Sequence, residues 1–301
     1  MYDLVIIGGG PAGLTAAIYA IRKRLNVFLI SHDLGGKTNY RLELPDMDTQ
    51  QVIRGVDVVE KFWRELDYLA FARRLERVVK VEKDGDIFSI ATENWETLQA
   101  RAVILATGSH VKALGIPGED EFVGRGVTYS ALSYAPLFLG RTAAVIGDGD
   151  RALRAVTELA VVAKTVHLVA HTAKPLETPL VRRLATKMQV VVWEGYFAKE
   201  IRGDEYARQL LIETPEGAQS EIEVDGVFVE TGLVPNTEAI TGLVDVDDKG
   251  RVIVDRINRT SCPGLFAAGD VTDAFAEQVL IAVGEGAKAA LSAYDYLLPN
   301  L

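Results

Sequence analysis

The chain has 301 residues, 49% apolar and 25% charged, the composition of an ordinary globular protein with room for about two domains. Its net charge of −10 argues against nucleic acid or an anionic membrane surface as a partner. The single cysteine excludes an internal disulfide and fits a reducing compartment, and no apolar run approaches the roughly 18 residues of a membrane span.

The first strand begins at once, with Asp3 in it, so no signal peptide is expected and the expected location is the cytoplasm. The apolar run Tyr2 to Ile7 breaks into Gly8-Gly9-Gly10-Pro11-Ala12-Gly13, a G-x-G-x-x-G spacing. Beyond it Leu14, Ala17, Ile18, Ile21 and Leu25 recur at helical intervals, so the segment reads strand, tight turn, helix. In such a turn Gly8 permits the sharp bend, Gly10 lets the backbone approach a pyrophosphate, and Gly13 lets the helix pack on the strand. Pro11 suits the first helical turn, where its missing N–H is no loss, and the free amides about Ala12 face the phosphates with the helix dipole behind them. Placed between a strand and a helix, this turn is a dinucleotide site.

The pattern recurs. Ala143 to Ile146 runs into Gly147-Asp148-Gly149-Asp150-Arg151-Ala152, with Leu153, Val156, Leu159 and Ala160 at helical spacing. The repeat points to two similar nucleotide-binding folds in series. Each copy is followed by a hairpin signal, Asp84-Gly85-Asp86 in the first and Pro215-Glu216-Gly217 in the second. Each then returns to an apolar strand ending in Thr-Gly, at Thr107-Gly108 and Thr231-Gly232. The remaining stretch, Asp255 to Leu301, has no counterpart after the first copy. The simplest assembly is therefore an α/β protein of two Rossmann-like three-layer (ββα) dinucleotide-binding domains, the second inserted in the first. Residues 1–115 and 233–301 form one domain and 116–232 the other, with hinges near Pro117-Gly118 and Thr231-Gly232.

From end to end the chain resembles the low-molecular-weight thioredoxin reductases. The likeness rests on GGGPAGL, Gly35-Gly36, Ala106-Thr107-Gly108, Ile116-Pro117-Gly118-Glu119, Gly232-x-x-Pro235-Asn236-Thr237 and the closing TSCPGLFAAGD with Gln278-Val279 beyond it. The resemblance implies FAD in the first domain. Gly8, Gly10, Pro11, Ala12, Gly13, Gly36, Ala106, Thr107, Gly108, Gly269, Gln278 and Val279 would line it, with Val79 on the hairpin strand. Asp270 would accept from the ribityl chain, and a helix starting near Glu277 would point at the flavin ring. Two positions depart from the pattern. Strand two ends in Ile30-Ser31-His32, leaving Ser31 or Asp33 for the adenosine ribose, and Lys37 stands where the family carries Gln.

Heavier departures fall on the reaction. Where the family has Cys-x-x-Cys-Asp the chain reads Ser130-Ala131-Leu132-Ser133-Tyr134. Hydroxyls cannot carry electrons as a dithiol does, so inactivity in dithiol exchange is expected. Serine is the customary isosteric replacement for cysteine, which fits a substituted pair; Tyr134 in the place of the family's general acid fits a parent that had itself diverged. The arginines that grip the 2′-phosphate of NADPH are replaced by Ala170-His171-Thr172-Ala173-Lys174, and Asp148 and Asp150 bring two carboxylates into the second turn. Arg182, Arg183 and Lys187 read as a solvated helix face. NADPH is therefore not expected, and the resemblance narrows to the pyridine-nucleotide-independent branch, fed by ferredoxin or by a flavin such as a second FAD in the degenerate cleft. The acidic chain does not favour an acidic ferredoxin. An NAD(P)H-linked flavin or ferredoxin reductase and a non-catalytic flavin sensor are the competing readings. The resemblance also implies a homodimer, for which the small-residue helix around Ala287 to Ala293 offers a face, and a thioredoxin-like disulfide protein as acceptor. The four histidines do not cluster with acids, no metal is expected, and Cys262 reads as a packed small hydrophobe.

Overall fold

A computed structural model describes residues 1–39, 42–46, 73–172, 179, 182, 183 and 189–301. Two units share the chain: Met1–Asn39, Val52–His110 and Val234–Leu301 make the first, Tyr40–Gln51 and Val111–Leu233 the second. In the first, β1 (Tyr2–Ile7) leads through the glycine turn into α1 (Pro11–Arg22), followed by β2 (Val27–Ser31), β3 (Arg73–Leu75), β4 (Val78–Asp84), β5 (Ile87–Thr92) and β6 (Thr97–Leu105). The sheet order is β3-β2-β1-β6-β5-β4. β1 is parallel to β2 and β6, whereas β4, β5 and β6 form an antiparallel meander. The expected hairpin turns at Gly85, whose φ of +56° lies in the left-handed region and whose flanking residues Asp84 and Ile87 pair. Short β7 (Ser109–Val111) follows.

The second unit opens with α2 (Glu119–Phe122), β8 (Val127–Thr128) and α3 (Ala131–Tyr134). Then come β9 (Thr142–Ile146), α4 (Asp150–Val162), β10 (Thr165–Ala170), β11 (Val190–Glu194), β12 (Phe197–Gly203), β13 (Ala207–Glu213), β14 (Gln219–Glu223) and β15 (Gly226–Val229). A parallel sheet of order β11-β10-β9-β15-β8 lies beside the antiparallel β12-β13-β14, in which the second expected hairpin is realised. The core holds Val145, Val156, Leu159, Leu168 and the edge-on pair Phe138 and Phe228, centroids 4.7 Å apart. Leu42 and Leu44, which the sequence leaves in the first domain, are buried in this core. Their segment is tied down by Glu43 N–H donating to Gly124 O at 2.6 Å and Arg141 Nη2 donating to Pro45 O at 2.6 Å. The chain also enters this unit at Val111, earlier than Pro117-Gly118. Gly118, at φ +82°, packs where a Cβ would lie 1.9 Å from Ile201 O.

The chain returns through β16 (Leu233–Pro235) and β17 (Leu265–Ala267), which adds parallel to β6, and ends in α5 (Val279–Leu297). That helix starts two residues later than Glu277, with Gln278 as its N-cap residue. Its small-residue face is used within the first unit: Ala289, Ala290 and Ala293 share a buried cluster with Leu14, Ala17 and Ile18 of α1. A Cβ on Gly286 would lie 2.1 Å from Ala12 O, so only glycine allows this approach. Each Leu or Ile fully buried there contributes about 1.5–3 kcal/mol. Among the described residues no helix is long and apolar enough to cross a membrane.

Candidate functional site

The first glycine turn divides its work as the sequence suggests, with one addition. Gly8 holds φ +114°, and a Cβ there would lie 2.2 Å from Ala106 O; one on Gly13 would lie 1.9 Å from Gly8 O. Gly9 is equally restricted, since its Cβ would meet Asp33 O at 2.2 Å, a constraint the motif does not advertise. Gly10 and Gly108, by contrast, have nothing within 4 Å of a Cβ, and the nearest atom to one on Gly36 is Gly10 Cα at 3.6 Å. Gly10 and Gly108 thus front open space, with Gly36 against Gly10, and α1 begins there with Pro11 and the bare amides of Ala12 and Gly13. This cradle fits the pyrophosphate of a dinucleotide such as FAD. The Ser31 hydroxyl accepts from Gly9 N–H at 2.7 Å, so the structure uses it to fix the turn.

Thr107 and Gly108 are held by Asn236, whose Nδ2 donates to Thr107 O at 2.8 Å and whose backbone N–H donates to Gly108 O at 3.0 Å. Thr107 Oγ1 donates to Asn236 O at 2.7 Å, which explains why the two quoted motifs belong together. Lys37 Nζ lies 2.6 Å from Asp270 Oδ2 and donates to Ser109 Oγ at 2.9 Å. The carboxylate expected to meet the ribityl chain is therefore already paired with the residue that departs from the family's Gln. Behind it, Glu285 Oε2 accepts from Gly269 N–H at 2.8 Å. Burial pushes the Glu285 carboxyl above its ordinary range, with a smaller push from Asp270 and partial relief from the Gly269 amide, Lys288 and Thr272. Neither the Glu285 carboxylate nor the tie at Lys37 was found from the sequence. Gln278 caps α5 with its side chain turned to Glu277 O, and Val279 opens the helix. Val79 is the extra residue of a bulge in β4, half exposed, a few positions past Leu75, which pairs with Ser31.

In the second unit Ser130 N-caps α3, its Oγ accepting from Ser133 N–H at 3.3 Å and donating to Ser133 Oγ at 3.0 Å. Ser133 is exposed, and Tyr134 packs partly against the core around Phe138. Behind them lies Glu230, 5% exposed, whose Oε1 accepts from Ala131 N–H at 2.9 Å and whose Oε2 sits 3.0 Å from Arg151 Nη2. An acid at the end of the otherwise apolar run Val227-Phe228-Val229 is the sequence signal that would have found it.

The second turn differs from the first. Gly149 fronts open space, but Asp148 Oδ2 is turned to the end of β10, where it accepts from Thr172 Oγ1 at 2.7 Å and lies 3.3 Å from His171 Nε2. The expectation of two carboxylates facing a pyrophosphate is thus half corrected: Asp148 is drawn away by Thr172, and Asp150 opens α4. The His171 ring stacks on Phe197, centroids 5.7 Å apart. Ala173, Lys174 and Lys187 lie outside the described residues. His167 accepts from Trp193 Nε1 at 3.0 Å, and burial lowers its pKa. Cys262 is buried in the core of the first unit, and burial raises its thiol pKa. Among the described residues no three His, Cys, Asp or Glu form a metal-ligand set.

Comparison with known proteins agrees with this geometry. The chain is 33% identical to the thioredoxin reductase of Streptococcus pyogenes, whose crystal structure superposes with a TM-score of 0.89 over 99% of both chains. Thioredoxin reductase from Giardia duodenalis gives 0.86 at 28% identity, again over 99% of both. Among curated proteins it is 35% identical over 302 residues to the NADH dehydrogenase of Bacillus subtilis. It is also 35% identical over 305 residues to the F component of the alkyl hydroperoxide reductase of Pseudomonas aeruginosa. The matches take in 99% of this chain but 59% and 58% of those proteins, so the chain spans about three fifths of their length. The sequence model of the pyridine nucleotide-disulphide oxidoreductases matches residues 2–286 and implies FAD. Paired glycine turns, a parallel sheet in each unit and a match of that breadth lead to one conclusion: the chain belongs to the pyridine nucleotide-disulphide oxidoreductase family.

Proposed function

We propose that the protein is a FAD-dependent oxidoreductase of thioredoxin reductase type that does not use NADPH and that, with Ser130 and Ser133 at the redox positions, is inactive in dithiol exchange. When bound, FAD supplies the two-electron chemistry. Gly8, Gly10, Gly13, Gly36 and Gly108 shape the cradle for it; Ala12 and Gly13 offer amides to its phosphates; Asp270, positioned by Lys37, accepts from its ribityl chain. Ala106, Thr107, Gly269, Gln278, Val279 and Val79 complete the contacts. The acceptor of a cysteine-bearing form is a thioredoxin-like disulfide protein, the donor a ferredoxin or a flavin, with the second turn as the place for a second FAD. The protein works as a cytoplasmic homodimer. The domains are those of the sequence reading, 1–115 with 233–301 for FAD and 116–232 for the redox positions, with the second taking in the stretch from Val111 and the segment around Leu42 and Leu44.

The observation that carries the NADPH argument is the Asp148 carboxylate, which reaches from the second glycine turn to Thr172 and His171 just past β10. It adds negative charge beside the positions where the family's arginines for a 2′-phosphate are missing, and each lost charge-assisted bond costs about 1.5–3 kcal/mol. A second reading, an NAD(P)H-linked flavin reductase, is favoured by the 35% identity to a protein named NADH dehydrogenase. Anaerobic titration with NADPH and with NADH, following flavin absorbance, separates the two. Neither nucleotide should bleach the flavin at a useful rate. Rapid bleaching by NADPH would overturn the proposal, and bleaching by NADH alone would favour the second reading.

A further inference from the structure

Glu230 ends an apolar strand, yet its carboxylate is buried and bonded on both oxygens. Oε1 accepts from Ala131 N–H at 2.9 Å, and Oε2 accepts from Arg151 Nε at 3.1 Å and lies 3.0 Å from Nη2. Arg151 Nη2 also reaches Tyr129 O at 3.4 Å. The Tyr129 hydroxyl in turn donates to Glu119 Oε1 at 3.2 Å, and Glu119, 1% exposed, takes the amides of Leu114 and Gly115. Glu230 thus holds the backbone just after Ser130, Arg151 the carbonyl just before it, and Glu119 the Tyr129 side chain.

Arg151 is the second residue of α4, inside the second glycine turn. In a dinucleotide-binding turn that region offers amides to a pyrophosphate. Here its side chain also reaches back to Glu230. A buried ion pair is weak evidence for stability, because desolvating two charges offsets their attraction. What such a network does specify is geometry.

We infer that Glu230 and Arg151 are positioning residues for the 130–133 segment, and that the second turn, through Arg151, helps to support that segment. The inference rests on the reading of 130 and 133 as the redox positions. Each residue acts through the backbone: Glu230 fixes the Ala131 amide at the start of α3, and Arg151 fixes Glu230 and the Tyr129 carbonyl.

The test uses the full FAD-loaded chain with S130C/S133C as background. The two thiols are equilibrated with glutathione mixtures, and the oxidised fraction is read by mass after alkylation. Arg151→Met should lower the stability of the disulfide at least tenfold, and Arg151→Lys should recover part of it. E230L/R151M removes both side chains and leaves the Ala131 amide without its acceptor, so it should lower the thermal midpoint; read well below that midpoint, where the chain is folded, the disulfide equilibrium should still show the tenfold shift. An equilibrium unchanged within twofold in E230L/R151M would overturn the inference. If the cysteine background does not fold, hydrogen exchange of the Ala131 amide in the serine chain decides: at least tenfold faster exchange in E230L/R151M supports positioning, and unchanged protection overturns it. Thiols that exchange with glutathione but never with the flavin would refute the proposed function while leaving this inference standing.

Discussion

Lys37 and Asp270, far apart in sequence, meet with 2.6 Å between Nζ and Oδ2. Glu285 accepts from the amide of Gly269, next to Asp270, and Lys37 offsets the negative charge of the two carboxylates. Lys37→Gln and Asp270→Ala should each raise the Kd for FAD about tenfold, equivalent to about 1.4 kcal/mol. Because the two side chains act as a pair, the double variant should lose less than the product of the single effects. Quenching of free-flavin fluorescence on titration gives all three values. A Lys37→Gln protein that binds FAD as tightly as its parent would remove the lysine from the site.

Gly10 and Gly13 should separate binding from folding. Gly10 has an ordinary extended backbone (φ −76°) and open space where a Cβ would go. Gly10→Ala should leave the flavin-free protein as stable as before or up to about 1 kcal/mol more so, through a less flexible unfolded chain, while FAD binding falls. Gly13→Ala places a Cβ 1.9 Å from Gly8 O and should cost about 1–3 kcal/mol of stability with or without flavin. Denaturant unfolding of apo and loaded protein distinguishes the two patterns, and a Gly13→Ala protein of unchanged stability would contradict the packing described.

Glu285 gives a pH dependence with a definite sign. Its carboxyl titrates above the unfolded value because burial disfavours the charged form. The folded state then binds more protons than the unfolded one in that window, so stability falls as pH rises from the ordinary glutamate range through the raised value. Glu285→Gln removes the charge and keeps an oxygen for the Gly269 amide. It should raise the thermal midpoint at pH 7 and change it little at pH 4, and an equal shift at both pH values would show that the burial of charge is not the cause.

The serine pair sets an electron count. Reductive titration should take up about two electrons per chain, all on the flavin, and the S130C/S133C variant about four, with a disulfide on reoxidation. The Oγ atoms of Ser130 and Ser133 already lie 3.0 Å apart, so small adjustments bring two sulfurs to bonding distance. Uptake of only two electrons by the variant would mean that 130 and 133 are not redox positions.

Local chemistry was the legible part of the sequence. The glycine turns, the Gly85 hairpin and the helical spacing of Leu14, Ala17 and Ile18 each depend on residues close together in the chain, and each forms as the pattern implies. What the pattern could not give is pairing across long separations. Lys37 with Asp270, and Glu230 with Arg151 and Ala131, join segments whose proximity exists only after folding. The small-residue face of α5 has no direction in sequence; it reads as a face for a second copy of the chain, whereas in the first unit its alanines pack with Leu14, Ala17 and Ile18 of α1. Glu285 resembled any helical acid until Gly269 was found bonded to it.

Leu42 and Leu44 bear on how the molecule can be taken apart. They are synthesised between two stretches of the first unit, yet their side chains fill the interior of the second beside Phe138 and Phe228. A gene fragment cut to span 111–233 would therefore encode a body with two of its own inner leucines missing, and would be expected to associate or to fray where they belong. During synthesis these leucines leave the ribosome before any of Val111–Leu233, so the second unit completes itself by recapturing an early stretch of chain.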